Sequence, residues 1–291
     1  MNKKIHKSFI NRLKDCGFLS GLILVLLFYV SAPSFAQEGK TKYLSLQDGL
    51  SNQQVLDVVH DHDGFIWVAT ELGLNRFSSN SFKHFYKAEK PDGKSVNSSE
   101  INTLLYDNYK LYIGTRSDGL NVLDLKTNTF SYFVHHPKDE SSISTNDITD
   151  IIKSKNGKLW LATFHQGVQQ FNTASKKFLH FNQKSVPAMP ENSVWSLAED
   201  KNGLLYIGHV NKGVSILNPV SKELQLLDVK STGGILPDNE VKSLFCDSKN
   251  NIWIGTRKGL AVYNPVSKKL NQVKLSSKSI KHNEPFIFSI K

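Results

Sequence analysis

The chain has 291 residues, of which 39% are hydrophobic and 21% charged, and its formal net charge is +10. Its lysines are scattered through predicted turns without interleaved aromatic side chains, which indicates a soluble surface and excludes a stripe for nucleic-acid binding. Of the two cysteines, only Cys246 lies outside the N-terminal segment, so the remainder of the chain cannot form an internal disulfide.

The N-terminal segment, 1–36, is typical of a secretory signal peptide. Five basic residues precede an apolar run at 17–32, and Ser34 and Ala36 are the small residues that a signal peptidase recognises. Cleavage is predicted before Gln37. The alternative is an uncleaved signal anchor, for which the run is shorter than the ~20 residues that cross a bilayer comfortably. Removing 1–36 leaves 31 Lys and Arg against 25 Asp and Glu, a net charge of +6.

After the signal peptide, the stretch from Tyr43 to Leu46 alternates in hydrophobicity and is predicted to be an outer strand. Five similar units follow, and their aromatic markers are spaced by 45, 48, 46 and 47 residues: Trp67, Tyr112, Trp160, Tyr206 and Trp253. A period near 46 with several short strands in each unit favours the blades of a β-propeller.

Each unit is predicted to contain four strands. In the fifth unit these are Val241 to Cys246, Ile252 to Thr256, Leu260 to Tyr263 and a weaker strand near Leu270. The runs are apolar on successive residues, which indicates sheets covered on both faces by neighbouring blades. Asp-Gly and Asn-Gly pairs between the first two strands favour tight hairpins.

Glycine recurs in one slot of all five units, which predicts a positive φ or a close approach there: Gly73, Gly119, Gly167, Gly213 and Gly259. The second strand ends on Thr in four units, and His209 replaces that Thr in the fourth. The residue before it is always Ala or Gly, which indicates crowding.

The predicted fold is therefore all-β, a propeller of four-stranded blades within 37–291. The blades are expected at about 51–97, 98–144, 145–191, 192–237 and 238–283, and 284–291 is predicted to begin a sixth. Because propellers protect their strand edges by closing the ring, this count predicts that the chain is a fragment of a longer polypeptide.

The repeated unit resembles the two-component regulator propeller repeat, with Gly49 to Asn52 (Gly-Leu-Ser-Asn) heading its first copy. The resemblance implies the periplasmic sensor portion of a Bacteroidetes hybrid histidine kinase, tethered to the inner membrane and homodimeric at full length. Such propellers often bind an oligosaccharide and control a phosphorelay and transcription. This sequence contains no kinase histidine box, nucleotide-binding segment, receiver domain or DNA-binding motif, so the chain itself is predicted to be neither an enzyme nor a nucleic-acid binder.

The ligand site is predicted at the channel mouth, where the turns between strands two and three lie beside the connections between blades. These turns hold the least repetitive residues of the units, and Phe164 adds an aromatic surface: Glu71, Arg116, Asp118, Phe164, His165, Gln166, His209, Asn211, Lys212, Arg257 and Lys258. Planar donors, carboxylates and an aromatic ring suit polyhydroxylated or anionic glycans. Arg116 and Arg257 are the leading candidates because a guanidinium grips a carboxylate or sulfate with two hydrogen bonds.

Three alternatives remain open at this point. The first is that the turn residues are simply solvated. The second is a propeller enzyme resembling a polysaccharide lyase or hydrolase, although no unit shows an inserted pair of acids. The third is a non-catalytic propeller that docks a protein. No cofactor is predicted, and no metal, because the segment Asp61 to Gly64 lacks the remaining ligands of a calcium loop.

Export is directly testable. When expressed with its own N-terminus in a Gram-negative host, the chain is expected in the periplasm, beginning at or within a few residues of Gln37. N-terminal sequencing of the periplasmic fraction checks this. An intact Met1 in the membrane fraction would establish the signal anchor instead.

Overall fold

The computed structural model describes residues 43–90, 92–274 and 286–290. The chain divides into two compact units, Met1–Tyr43 and Leu44–Lys291, and the described residues belong almost entirely to the second. The predicted signal peptide, 1–36, and the residues 283–285 lie outside the described residues. Among the residues that the structure describes, no helix is long and apolar enough to cross a lipid bilayer.

The second unit is built from twenty strands in five antiparallel sheets of four. Each sheet is one blade, and each lies within one predicted unit. The strands of the five blades are, in order, β1 Val55–His60, β2 Ile66–Thr70, β3 Gly73–Ser78 and β4 Ser81–Phe85; β5 Ile101–Asp107, β6 Lys110–Thr115, β7 Leu120–Asp124 and β8 Thr129–Phe133; β9 Ile148–Lys153, β10 Leu159–Thr163, β11 Val168–Asn172 and β12 Lys177–Phe181; β13 Val194–Glu199, β14 Leu205–His209, β15 Val214–Leu217 and β16 Leu224–Leu227; β17 Val241–Cys246, β18 Ile252–Thr256, β19 Gly259–Asn264 and β20 Lys269–Val273.

Within every blade the strands pair in chain order, and the first strands of successive blades contact one another: β1 with β5, β5 with β9, β9 with β13 and β13 with β17. The first strands therefore line a central channel. All five carry a β-bulge near their beginning, where the pairing with the second strand shifts by one residue. Such bulges bend a strand and redirect its side chains.

The hydrophobic core lies in layers between consecutive blades. One layer joins Trp67 and Leu74 of the first blade to Ile101 and Ile113 of the second, and three equivalent layers follow between the later blades. The second, third and fourth blades thus bury both faces against their neighbours, which explains why their apolar runs do not alternate. The all-β propeller prediction is confirmed.

The turns between first and second strands are fixed by an aspartate in three blades. In the first blade, Asp61 accepts backbone N–H groups of Asp63 and Phe65 through Oδ1, both at 3.0 Å, and Trp67 Nε1–H through Oδ2 at 2.8 Å. Asp247 repeats this arrangement with Trp253, at 3.0 Å. Asp61 and Trp67 are both buried.

The recurrent glycine has the conformation that the sequence predicts. Gly119 has φ +80°, and a Cβ added there would overlap the carbonyl oxygen of Phe133. Its N–H donates to the carbonyl of Asn146 in the connection to the next blade, at 3.0 Å. In the first four blades the slot glycine therefore joins the blade to the following connection.

The small residue before the terminal threonine fits the first strand of the next blade. A Cβ on Gly114 would lie 2.8 Å from Cγ2 of Ile148, the first residue of β9, and one on Gly255 would lie 2.7 Å from Cγ2 of Ile287. Phe286–Ile290 therefore occupies, beside the fifth blade, the position of the first strand of a sixth. These five residues form no strand pairing.

One strand prediction is wrong. Tyr43 to Leu46 forms no strand; Ser45 instead caps a 3-10 helix at Leu46–Asp48, where the Asp48 carboxylate accepts the Ser45 N–H at 2.9 Å. A serine followed three residues later by an acid forms this capping box, and local hydrogen bonds override the alternating pattern.

The aspartate of the first turn provides a test of stability. Asp61→Ala is expected to destabilise the protein by about 2–3 kcal/mol, because it leaves the buried Trp67 Nε1–H and two backbone N–H groups without acceptors. Equilibrium unfolding in urea measures the change. Asp63→Ala is the matched control, since its side chain is 57% exposed and pairs with His62 at the surface; its effect is expected within about 0.5 kcal/mol. Equal losses in both variants would contradict the role of Asp61.

Candidate functional site

A cavity of about 520 Å³ lies on the channel axis, between the first strands of the blades. The second residue of every first strand contributes to its wall, and Phe288 holds the same position in Phe286–Ile290: Leu56, Asn102, Thr149, Trp195, Lys242 and Phe288. These six positions are geometrically equivalent but chemically different. The cavity therefore has one polar side, from Asn102 and Thr149, and one aromatic side, from Trp195 and Phe288.

The aromatic side is extended and held in place by its neighbours. The ring of Phe164, from the turn after β10, lies 5.3 Å from that of Trp195. Lys242 Nζ makes a cation–π contact with Trp195, 3.6 Å from the ring centroid, and lies 3.0 Å from Glu240 Oε1. The Lys242 side chain is 15% exposed. Its charge is thus shared between an aromatic face and a carboxylate.

Carboxylates occupy fixed positions around the same cavity. Asp57 Oδ2 accepts the backbone N–H of Leu104 at 2.8 Å, and Asp150 Oδ2 accepts that of Leu197 at 2.7 Å. Each therefore binds one blade to the first strand of the next. Asp147 also lines the wall, and burial raises the pKa of its carboxyl, an effect that the nearby Arg116 guanidinium partly opposes.

The rim above the cavity is charge-compensated. Arg116 Nε lies 3.7 Å from Glu100 Oε2, and Arg257 Nη1 lies 3.6 Å from Glu240 Oε2. Each cation belongs to a turn between second and third strands, and each acid belongs to the connection that enters the same blade. Two further pairs follow this pattern of turn and connection: Lys258 with Asp238, and Asp118 with Lys87.

The structure separates the predicted site residues into three groups. The first lines the cavity: Glu71, Arg116 and Phe164. The second lies in the turns between second and third strands but does not line the cavity: Asp118, His165, Gln166, Asn211, Lys212, Arg257 and Lys258. Arg257 borders a shallower hollow of about 480 Å³ with Glu240, Lys242 and Phe286. Asn211 is bound by Glu191, whose Oε2 accepts its backbone N–H at 2.8 Å.

The third group is His209 alone, and its predicted place on the rim is wrong. The side chain is fully buried, and Nε2 lies 2.8 Å from Ser215 Oγ. The equivalent threonines of the other blades are also buried and donate to the carbonyl of the slot glycine, as Thr115 does to Gly119 at 2.7 Å. Burial lowers the pKa of His209 to about 4, so the imidazole is neutral at physiological pH.

The sequence interpretation missed the cavity residues Trp195, Lys242 and Phe288. A signal for them does exist, because the residue after the first residue of each first strand differs in every unit while its neighbours repeat. Among the described residues, no group of three or more His, Cys, Asp or Glu side chains is placed to hold a metal ion.

Comparisons with known proteins decide what kind of repeat this is. The family model described as two component regulator propeller matches residues 49–71, 142–165, 188–211 and 235–258. Each match runs from the connection that enters a blade to the turn after its second strand. The first, third, fourth and fifth blades are two-component regulator propeller repeats. The second blade falls outside the matches, and its first turn is shorter, with Asn108 and Tyr109 both at positive φ.

Two proteins are similar to the chain in sequence. The chain is 37% identical over 79 residues to histidine kinase P4 of Formosa agariphila, a match that covers 26% of the chain and 6% of that protein. It is 35% identical, with a TM-score of 0.73, to the extracellular domain of the hybrid two-component system BT3049 of B. thetaiotaomicron, covering 83% of the chain and 33% of that structure. The chain thus spans only a small part of each of these proteins.

The fold of the chain, but not its sequence, is also similar to that of an enzyme. Virginiamycin B lyase from Staphylococcus aureus is 11% identical, with a TM-score of 0.56, and the alignment covers 77% of the chain and 71% of the lyase. At this identity only the arrangement of blades is shared.

The buried histidine of the fourth repeat generates a pH prediction. Unfolded His209 binds a proton below about pH 6.5, whereas the folded protein protonates it only near pH 4. Stability is therefore fully present above pH 6.5 and is lost as the pH falls from 6.5 towards 4, by up to about 3 kcal/mol. His209→Thr, which restores the residue of the other repeats, is expected to remove this loss.

Urea unfolding at pH 7, 6, 5 and 4 measures the dependence, with His136→Gln as the control because His136 is exposed. A pH dependence in His209→Thr equal to that of the wild type would contradict the assignment.

Proposed function

We propose that this chain is part of the ligand-sensing propeller of a periplasmic two-component sensor, and that its axial cavity binds an oligosaccharide. In the full-length parent, tethered to the inner membrane and dimeric, binding would control a histidine kinase phosphorelay and transcription. The chain itself carries the recognition step and no catalysis.

The observation that carries the proposal is the cavity wall. Trp195, Phe164 and Phe288 present aromatic surface, while Asn102, Thr149 and the carboxylates present hydrogen-bonding groups. A volume of about 520 Å³ lies within the ~300–1,000 Å³ of small-ligand sites, which combine aromatic lining with a few fixed polar groups. A sugar ring has apolar faces and a polar edge, and it suits such a wall.

The repeat family supports the signalling part of the proposal. Histidine kinase P4 and the two-component system BT3049 are both named for signal transduction, and the second comparison concerns an extracellular domain. A propeller placed outside the membrane meets ligands that the kinase cannot, which fits a sensor with a ligand cavity on its axis.

The proposal is tested by screening a panel of tetra- to hexasaccharides for thermal stabilisation of the purified protein, followed by calorimetry on each hit. A ligand that binds only the folded state raises the unfolding temperature. Chromatography of the same mixtures detects cleavage products, which would assign an enzyme instead. If no oligosaccharide stabilises the protein, the sensing role at this cavity is wrong.

Trp195 provides the site-specific prediction. Trp195→Ala is expected to weaken binding of a hit at least tenfold, because it removes the central aromatic surface of the cavity. Leu179→Ala is the control, since Leu179 is a 54% exposed apolar side chain on the outer strand β12. Circular dichroism confirms that both variants fold. Unchanged affinity in Trp195→Ala would move the site away from the cavity.

A further inference from the structure

We infer that the cavity selects uncharged sugars and rejects carboxylated or sulfated ones. The inference rests on the proposed function, because it names the class of oligosaccharide that the same cavity accepts. It departs from the expectation, drawn from Arg116 and Arg257, that the site suits anionic glycans equally well.

The first reason is the charge of the wall. Four acidic residues line the cavity, Asp57, Glu71, Asp147 and Asp150, against two basic ones, Arg116 and Lys242. The wall therefore has a formal charge of −2, although the whole chain is strongly basic. Like charges in a confined cavity with low-dielectric walls repel an entering anion.

The second reason is that the basic groups already have anionic partners. Lys242 lies between the Trp195 ring and the Glu240 carboxylate, and Glu240 also contacts Arg257. Arg116 is paired with Glu100. An anionic sugar would have to displace a carboxylate that is attached to the same blade, and the covalent connection keeps that competitor at high effective concentration.

The third reason is that the acids are built into the fold. Asp57 and Asp150 hold adjacent first strands together through backbone N–H groups, so their carboxylates cannot swing away from an incoming anion without breaking those bonds. Burial already disfavours the ionised form of Asp147, which a second anion nearby would disfavour further.

The same carboxylates suit an uncharged sugar. Each hydroxyl of a sugar is a donor, and O–H donation to a carboxylate is a short, charge-assisted hydrogen bond. Trp195 and Phe164 supply the aromatic surface for the ring itself. The acidic groups thus favour a neutral polyol and disfavour an anion through one and the same arrangement.

A matched pair of probes tests the inference. The panel contains hexose oligosaccharides from neutral polysaccharides (galactan, mannan and laminarin) and from anionic ones (polygalacturonate, alginate and carrageenan). Each neutral hit is also oxidised at C6 to the corresponding uronate, which changes the charge and keeps the linkage. We expect the neutral form to bind at least tenfold more tightly than its oxidised form. The difference should shrink at high salt, because salt screens repulsion.

Glu71→Gln separates electrostatic rejection from shape. Glu71 is half-buried in the turn between β2 and β3 and lines the cavity, so its substitution removes one wall charge without touching the blade core. The preference for the neutral form is expected to fall about threefold or more. Glu223→Gln, on the turn between β15 and β16 at the opposite end of the blade, is expected to leave the preference unchanged.

The outcomes are distinguishable. If an anionic oligosaccharide binds as tightly as its neutral counterpart or more tightly, the charge selection is overturned while the oligosaccharide sensor stands. If no oligosaccharide of either class binds, the proposed function and this inference fall together.

Discussion

A four-stranded blade cannot bury its own faces and needs a neighbour on each side. Each hydrophobic layer is shared by two consecutive blades, as Trp67 of the first blade and Ile113 of the second share one. Neighbouring blades are also joined by polar contacts, from the slot glycines to the next connection and from Asp57 and Asp150 to the next first strand. Stability is therefore a nearest-neighbour property, as in other repeat proteins.

The channel follows from the same constraint. When blades pack face to face around an axis, their first strands converge there, and the bulge near the start of each strand directs the next side chains inward. Because successive side chains of a strand point in opposite directions, neighbouring residues have different roles. The first residue, such as Ile101 or Val241, is buried between blades, and the second, such as Asn102 or Lys242, faces the cavity.

The sequence predicted the strands well because their determinants are local and repeated five times: the period near 46, the turn glycines and the small residue before threonine. The site was harder to predict. Trp195 and Lys242 are brought together by the packing of two blades, which no local pattern reports. The pairing of Arg116 with Glu100 depends on the path of a connection. His209 looked like a variable rim residue, although its alignment with four threonines identified an interior position.

Within the first strands of the second to fifth blades, one residue is buried between blades and the next faces the cavity. This separation affects how the binding specificity of such a protein can change. Because the six cavity-facing positions lie outside the hydrophobic layers between blades, their side chains can be exchanged without disturbing those layers. Each blade of the ring contributes one such position. Gene duplication of a blade adds a cavity-facing position, and point substitution changes the side chain at that position. A new specificity therefore requires few mutations and no change of scaffold.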